Sequence, residues 1–169
     1  MAFEYKKLSV DNGRDEYDML QLIGSDENGF TNEVYGMTYN EYRKWLVEQN
    51  DYSFARNLPQ NYIPQSTFFL YADGVAVGIA RIRHFAADFL EQQGVGRFGY
   101  GIAKPYRGKG YGSVLYTHTV RQMKLMGIRM VKSFVDIDNI PSNRIFRRNG
   151  AVLSDTFKET KNVYIIRLD

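Results

Sequence analysis

Nine residues near the middle of the chain constrain the fold more than any other segment: Pro105 to Ser113, which reads PYRGKGYGS. Three glycines alternate there with other residues, and the apolar spacing of an amphipathic helix begins directly afterwards. The residues that recur on one face of that helix are Leu115, Tyr116, Thr119, Val120 and Met123. Immediately upstream, residues 98–103 are typical of a strand. The segment therefore predicts a strand, a glycine-rich turn and a helix.

This turn has the physical properties of an anion site. A helix leaves the N–H groups of its first turn without internal partners, and the helix dipole adds partial positive charge there. Glycine lets an anion come close to the backbone because it has no Cβ. Arg107 and Lys109 add two full positive charges. A tight turn that needs small residues for packing is the alternative, but the order RGKGYG before an amphipathic helix favours a phosphate site.

Residues 107–112 resemble the acyl-CoA signature of the GNAT N-acetyltransferases, Arg/Gln-x-x-Gly-x-Gly/Ala. In that family the turn holds the pyrophosphate of coenzyme A. The resemblance implies acetyl-CoA as the co-substrate and the following binding residues around the turn: Ile102, Ala103, Lys104, Arg107, Gly108, Lys109, Gly110, Tyr111, Gly112 and Ser113.

Length and composition restrict the class of protein. A chain of 169 residues with 44% hydrophobic and 24% charged residues predicts one globular domain, residues 1–169. The net charge of +3 is too small to predict nucleic acid or a membrane surface as a partner. Met1 to Lys7 has no apolar core of a signal peptide, so we expect a cytoplasmic protein.

The chain contains no cysteine and only two histidines. The lack of cysteine excludes disulfides, cysteine metal sites and a cysteine acyl-enzyme. Two histidines, His84 and His118, make a dedicated metal site an unfavourable interpretation, so we predict no metal.

Hydrophobic spacing and turn residues divide the chain into alternating elements. The predicted strands are residues 3–10, 66–72, 75–85, 98–103, 129–137, 152–157 and 163–168. The predicted helices are residues 14–23, 40–49 with Asn40 as the N-cap, a short 86–93, the helix that follows the glycine turn and ends at Gly127, and 141–149. Residues 24–39 and 51–65 are predicted loops, and Asp73-Gly74 a hairpin turn. Strand 75–85 is apolar on both faces near its start, which predicts a central strand.

This order matches the GNAT fold over the whole chain. The resemblance implies an α/β fold (an α+β arrangement) with a central mixed sheet flanked by helices. The strands on either side of the signature helix are expected to be parallel, joined by a right-handed crossover, and splayed apart at the cofactor site.

A second motif, Asp138 to Gly150, reads DNIPSNRIFRRNG and resembles the later family motif, Asn-x-x-Ala/Ser followed by an aromatic residue. Residue chemistry alone favours Asn139 as a helix cap. The resemblance implies that Asn139, with Ser142, also contacts the pantetheine arm of coenzyme A. The family often has a tyrosine at the aromatic position that protonates the departing thiolate, but this chain has Phe146. Phenylalanine carries no acidic proton, so the usual general acid has no candidate here.

Acetylation of an amine requires a neutral amine beside a polarised thioester carbonyl. Backbone N–H groups of a strand can polarise that carbonyl, and the resemblance to the GNAT family implies that residues around 101–103 supply them. Candidates that accept the proton of the amine are His84, Tyr100 and Asp136, with Glu33 as a weaker alternative. His84 leads because its ordinary pKa lies nearest to neutrality, although a partly buried structural histidine is the competing interpretation.

The loop between the first two helices holds three acids and three aromatic residues: Asp26, Glu27 and Glu33 with Phe30, Tyr35 and Tyr39. In the GNAT fold this loop borders the acceptor cleft, where acids and aromatics suit a cationic amine; solvated acids without a ligand are the alternative. Residues 64–67 and 81–84 also resemble a bacterial branch of the family, a resemblance that names no acceptor.

The resemblance implies an acetyl-CoA-dependent N-acetyltransferase, and the lack of cysteine predicts that a small-molecule or peptide amine attacks the thioester directly in a ternary complex. The resemblance also allows a homodimer. Two alternatives stay open. Phe146 favours a catalytically silent acyl-CoA-binding module on the same fold, and the glycine turn alone also suits a nucleotide-binding protein.

Overall fold

The hydrophobic pattern produces nine strands and five α-helices in the computed structural model, which describes all 169 residues. The strands are β1 (Phe3–Lys7), β2 (Asp26–Glu27), β3 (Phe30–Thr31), β4 (Gln65–Ala72), β5 (Val75–Arg83), β6 (Phe98–Ile102), β7 (Met130–Asp136), β8 (Val152–Phe157) and β9 (Lys161–Arg167). The helices are α1 (Arg14–Leu20), α2 (Tyr39–Ser53), α3 (Asp88–Glu91), α4 (Tyr111–Leu125) and α5 (Ile140–Arg148). None of these helices combines the length and hydrophobicity that a membrane span requires.

The main strands form two sheets, each paired in antiparallel fashion. The N-terminal sheet has the order β1-β4-β5-β6, and the C-terminal sheet has the order β7-β9-β8. β5 lies between β4 and β6 and is buried from residue 76 to residue 82, which confirms the prediction of a central strand. The turn into β5 is the predicted Asp73-Gly74 hairpin, in which both residues have positive φ, 48° and 80°.

β6 and β7 begin side by side and then separate. Just before β6, the N–H of Arg97 donates to the carbonyl of Lys132 at 3.3 Å, and no further backbone hydrogen bond joins the two segments. The two strands therefore belong to different sheets. We call the opening between residues 98–102 and 130–136 the strand gap. It confirms the expected splay of the strands on either side of α4. These two strands, β6 and β7, were expected to be parallel neighbours and do not pair with each other.

Helices cover both faces of the N-terminal sheet. On one face, α1 and α2 pack Leu20 and Leu46 against Phe69 and Ile79 of the sheet. On the other face, α4 packs against both sheets. The hydrophobic core on that face contains Phe68, Ile82, Tyr116, Met123, Val131, Val135 and Ile166. We call these the α1–α2 face and the α4 face. The strand gap therefore lies where α4 bridges two sheets that do not pair with each other.

α2 begins earlier than predicted, because Thr38 and not Asn40 caps it. The Thr38 hydroxyl accepts a hydrogen bond from the Glu41 N–H at 3.2 Å, and the Glu41 carboxylate accepts from the Thr38 N–H at 2.7 Å. This reciprocal capping box satisfies two backbone donors, whereas a single Asn cap satisfies one. The helix also continues to Ser53, beyond the predicted end at Gln49, because Gln49 and Tyr52 are buried against the sheet.

The segment predicted as a loop, residues 24–39, contains a short hairpin made of β2 and β3. Its turn is Asn28-Gly29, with positive φ at both residues (53° and 79°), which is the geometry that an Asn-Gly pair favours. The prediction failed here because strands of two residues are too short to show a repeating pattern. Beyond the hairpin, the buried Asn32 side chain donates to the carbonyls of Leu20 and Ile23, which holds the loop against α1.

Candidate functional site

The glycine-rich turn leads from β6 into α4 as predicted. A single 3-10 turn, Lys104–Tyr106, follows β6, and Gly110 then forms the N-cap of the 15-residue helix α4. Gly110 has a φ of 83°, a left-handed conformation that side chains other than glycine rarely adopt. A Cβ at Gly110 would meet no atom within 4 Å. Backbone conformation, and not packing within the chain, therefore requires glycine at this position.

The turn offers a row of free backbone donors. None of the N–H groups of residues 108–113 donates a hydrogen bond within the chain. Residues 107–110 are exposed, so these donors face solvent at the positive end of the α4 dipole. No side chain caps the helix. The segment can therefore bind an anion through backbone N–H groups without first breaking an internal hydrogen bond.

Arg107 is bound within the chain and is not a free cation. Its Nε donates to the carbonyl of Ile102 at 2.8 Å, and its Nη2 donates to the carboxylate of Glu27 in the hairpin. That hydrogen bond is the main cause of a lowered pKa of Glu27. Arg107 thus ties the turn to the end of β6 and to the hairpin, while Lys109 is exposed beside the Tyr106 ring.

The backbone of β6 also presents donors to the strand gap. Ala103 N–H donates to Val77 on β5, and the Arg97 carbonyl accepts from Arg83 on β5. Because alternate residues of an antiparallel strand bond to the same neighbour, the N–H groups of Tyr100 and Ile102 point away from β5. β6 is the last strand of its sheet, so these groups face the strand gap. Within the predicted range of residues 101–103, the N–H of Ile102 faces the strand gap, whereas those of Gly101 and Ala103 are directed to β5.

The start of α5 forms the opposite wall of the strand gap. Asn139 caps α5, as predicted, by accepting from the Ser142 N–H at 3.3 Å. The buried side chain of Asn143 fixes this cap relative to β7 and β9. It donates to the carbonyls of Asp136 and Asn139 and accepts from Asn162 and Tyr164, at 2.7 to 2.9 Å. Sequence reasoning missed Asn143, although an Asn inside an amphipathic helix was a signal for a buried polar contact.

Tyr100 and Ser142 meet across the strand gap. The Tyr100 hydroxyl lies 2.9 Å from the Ser142 Oγ, so β6 and α5 are linked through their side chains. Burial raises the pKa of Tyr100 to about 12, and the hydrogen bond to Ser142 opposes that effect in part. Tyr100 therefore stays protonated near neutral pH, as a hydrogen-bond donor.

Phe146, which stands where the family often has a tyrosine, lies in an aromatic cluster. Its ring packs against Phe98, Tyr116 and Tyr164, with centroid distances of 5.9, 4.9 and 5.0 Å, and the residue is 2% exposed. The Tyr116 hydroxyl in this cluster is buried without a hydrogen-bond partner. The site thus has a tyrosine hydroxyl near the phenylalanine, on α4 instead of α5.

Two of the three predicted proton acceptors lie at the strand gap, and one does not. Asp136 ends β7, with its carboxylate 3.9 Å from the Lys161 Nζ and near the hairpin turn at Gly29. His84 instead follows β5 at the far end of the sheet, where its Nε2 lies 2.8 Å from the Ser66 Oγ. Burial, aided by the charges of Lys7 and Arg97, lowers the pKa of His84.

The strand register gives the distance between His84 and the end of β6 next to the glycine-rich turn. Ile102, at the end of β6 next to the glycine-rich turn, pairs with Gly78 on β5. His84 lies six residues beyond Gly78, which is about 20 Å along an extended strand. The structure therefore brings Tyr100, Asp136, Asn139 and Ser142 together around the gap and leaves His84 outside that group.

The acids of the loop between α1 and α2 contact arginines. Glu27 binds Arg107, and Glu33 binds Arg81 of β5 with an oxygen-to-nitrogen distance of 3.1 Å. Phe30 of the hairpin packs over β6 where Gly99 and Gly101 provide no side chain. Two of the three acids already have cationic partners. The loop therefore does not form a purely acidic cleft that would suit a cationic acceptor.

No group of histidine, cysteine, aspartate or glutamate side chains in the chain is arranged to hold a metal ion.

Comparison with known proteins agrees with this geometry. Residues 31–151 match the model of the acetyltransferase (GNAT) family. The sequence matches no curated protein. Among solved structures, the acetyltransferase from Salmonella typhimurium that modifies the N-terminal serine of ribosomal protein L7/L12 is similar, with 14% identity, a TM-score of 0.67, and coverage of 100% of this chain and 96% of that chain.

Two further structures have the same fold at lower identity. The N-acetyltransferase PseH from Campylobacter jejuni in complex with acetyl coenzyme A has 10% identity, a TM-score of 0.65, and coverage of 99% and 100% of the two chains. Mutant forms of the spermidine/spermine N-acetyltransferase SpeG from Vibrio cholerae have 10% identity, a TM-score of 0.63, and coverage of 99% and 95%. The family match spans most of the chain and includes both the turn and the start of α5. The chain belongs to the acetyltransferase (GNAT) family.

Proposed function

We propose that this protein is an acetyl-CoA-dependent N-acetyltransferase whose acceptor is a primary amine. The observation that carries this proposal is the row of unpaired N–H groups at residues 108–113, at the N-terminus of α4 and beside the strand gap. Backbone donors at a helix N-terminus suit a pyrophosphate. The residues present therefore fit coenzyme A.

Each wall of the strand gap supplies one part of the binding site. The turn from Arg107 to Ser113 would hold the pyrophosphate, with Lys109 as its exposed cation. The Asn139 side chain would contact the pantetheine arm through its amide nitrogen, since its oxygen is used in the α5 cap. Bound acetyl-CoA supplies a thioester. The N–H groups of Tyr100 and Ile102 that face the gap are placed to polarise a carbonyl there.

The chain has no cysteine, so the amine attacks without an acyl-cysteine intermediate. Among the three candidates for proton transfer, position favours Tyr100 and Asp136 over His84, since both lie at the strand gap. Tyr100 serves as a hydrogen-bond donor because burial keeps its hydroxyl protonated. Asp136 is the candidate base, tested by Asp136→Asn, with Asp138→Asn, at an exposed position two residues further along the chain, as the matched control.

The experiment is a thiol-release assay with acetyl-CoA and a panel of amines: polyamines, aminoglycosides, amino acids and peptide N-termini. An N-acetyltransferase releases free coenzyme A at a rate that depends on the amine and forms an acetylated product of the expected mass. Gly110→Asp is expected to lose that activity while its circular dichroism spectrum stays that of the parent.

A catalytically silent acyl-CoA-binding module is the second candidate, and the burial of Phe146 among aromatic rings favours it. That module would bind acetyl-CoA in calorimetry and release no thiol with any amine. Turnover by the parent protein with even one amine, lost in Gly110→Asp, excludes the silent module.

A further inference from the structure

An arginine-rich cluster lies on the α1–α2 face, close to the point where β6 and β7 separate. Arg81 and Arg83 are two residues apart on β5, so their side chains leave the sheet on the same face. Arg97 lies just before β6 and binds the carbonyls of Arg83 and His84. We call Arg81, Arg83 and Arg97 the arginine cluster.

The cluster has more positive charge than its surroundings neutralise. Glu33 is the one carboxylate that forms an ion pair with it, through Arg81. The guanidinium of Arg83 donates to the Gly96 carbonyl, and Arg97 donates only to carbonyls. Burial, together with the charge of Arg81, lowers the pKa of Arg83 to about 10. Buried charges in proteins are normally paired, so this excess of positive charge favours the binding of an anion.

Two buried polar atoms at the cluster have no partner. Arg81 is 6% exposed, yet its Nε donates to nothing in the chain. Thr67 is directly opposite Arg81 in the register of β4 and β5 and is 2% exposed, and its hydroxyl is also unpaired. Buried polar groups in native proteins are satisfied in the great majority of cases. Unpaired donors beside an excess of positive charge are the features of an incomplete anion site.

We propose that the arginine cluster, with Thr67, binds an anionic group of the acceptor, so that the acceptor is an amine that carries a carboxylate or a phosphate. This inference rests on the proposed N-acetyltransferase function and names its substrate class. The Glu33 carboxylate, which is 41% exposed on its side chain, occupies part of the site and limits its charge.

The position of the cluster assigns the anion to the acceptor and not to coenzyme A. Arg81 pairs with Gly99 on β6, whereas the signature turn follows Ile102, which pairs with Gly78. Arg81 is therefore about 10 Å along the strand from the cofactor end of the sheet. The cluster also lies on the α1–α2 face, while α4 packs on the opposite face. The backbone N–H of Arg97 in the cluster donates to the carbonyl of Lys132, so an acceptor anion held there lies next to the point where the strand gap begins.

The first test compares matched amines in the thiol-release assay. The probes are L-amino acids against their carboxamides, O-phosphoethanolamine against ethanolamine, and spermidine as a cation without an anionic group. The anionic member of a pair is expected to have a kcat/KM at least about tenfold higher, which corresponds to ~1.4 kcal/mol. A preference confined to the phosphate pair or to the carboxylate pair identifies the anion. Equal rates within every pair, or a preference for spermidine, overturn the inference and leave the acetyltransferase proposal standing.

The second test uses substitutions with opposite expected signs. Arg83→Gln removes one cation and is expected to reduce the preference for the anionic member to about twofold or less. Glu33→Gln removes the competing carboxylate and is expected to lower the KM for the anionic member severalfold. Arg121→Gln, on the exposed face of α4, is the matched control and should change neither value. A structural role of the Arg81–Glu33 pair alone would weaken all amines equally in Glu33→Gln, which would contradict the inference.

The third test does not depend on turnover. In calorimetry with coenzyme A present, an N-acetyl-L-amino acid should bind at least about tenfold more tightly than its carboxamide, and Arg83→Gln should abolish the difference. If no amine is acetylated, the proposed function fails, and this binding comparison still decides the anion site. If acid and amide bind equally, the site is rejected, whether or not amines are acetylated.

Discussion

The glycine-rich turn and the arginine cluster are both suited to anions, yet they use different groups: backbone N–H groups in the turn and side chains in the cluster. The turn uses exposed backbone N–H groups from one continuous segment, residues 108–113. The cluster uses side chains from β5 and from the residue before β6, with Arg81 buried and Arg83 and Arg97 partly buried. An exposed backbone site binds the same group in any ligand that carries it, whereas a buried charged site discriminates strongly, because a ligand without the anion leaves cations unpaired. The comparison separates the proposed cofactor site, which is general, from the proposed acceptor site, which is selective.

The two regions are physically joined. The hairpin carries Glu27, which binds Arg107 of the turn, and Phe30, whose ring lies 5.3 Å from the Arg81 guanidinium. A change in either region is therefore transmitted through the hairpin, and the two sites need to be tested with substitutions that separate charge from structure.

The largest expected effect concerns pH, because His84, the candidate whose ordinary pKa lies nearest to neutrality, lies outside the strand gap. Burial raises the pKa of Tyr100 to about 12, so this residue stays protonated, and His84 is remote. The rate should then follow the neutral fraction of the acceptor amine and rise about tenfold per pH unit between about pH 6 and 9. The measurement is kcat/KM against pH for the parent and His84→Gln, which should give superimposable profiles. An acidic limb near neutral pH that disappears in His84→Gln would restore His84 as the base.

The second effect tests the turn as an anion site. Gly110→Asp and Gly110→Asn place side chains of equal shape at a left-handed position that both residues tolerate better than others do. Only Asp adds a negative charge next to the pyrophosphate. Calorimetry should show coenzyme A binding about 10²-fold weaker for Asp than for Asn, or ~2.7 kcal/mol. Equal affinities in two folded variants would show that the pyrophosphate binds elsewhere.

The third effect separates the two roles of Asn139. Asn139→Asp keeps an oxygen that can cap α5 but loses the amide donor, so coenzyme A affinity should fall about fivefold to tenfold with little change in Tm. Asn139→Ala should in addition lose ~1 kcal/mol of stability through the missing cap. If Asn139→Asp binds coenzyme A as the parent does, Asn139 is a cap and nothing more.

The smallest effect tests the link between the regions. Glu27→Gln removes the carboxylate that neutralises Arg107, so coenzyme A binding should become tighter, by about threefold at low ionic strength. The effect is small because the Arg107–Glu27 pair is about one third exposed. Titrations at low and high salt measure it, and the gain should vanish at high salt. Weaker binding at both salt concentrations would mean that the ion pair supports the shape of the turn instead of limiting its charge.

Much of the fold could be predicted because its signals are local. The Asp73-Gly74 turn, the buried strand β5 and the Asn139 cap each depend on residues within a few positions of one another. The Asn28-Gly29 turn was equally local but was missed, because β2 and β3 are two residues long and show no period. The Thr38 cap was missed although Thr38 and Glu41 form a recognisable capping box.

The sequence alone therefore determined the glycine-rich turn, which is the proposed cofactor side of this protein. A glycine turn that opens a helix presents free N–H groups whatever the rest of the chain does, since those groups have no partner within the helix. Only the tertiary structure decided the proposed acceptor side. Glu27 lies 80 residues from Arg107, and Glu33 lies 48 residues from Arg81. Such ion pairs depend on which distant segments fold together, and side-chain charge is not specific enough to choose its partner from the sequence.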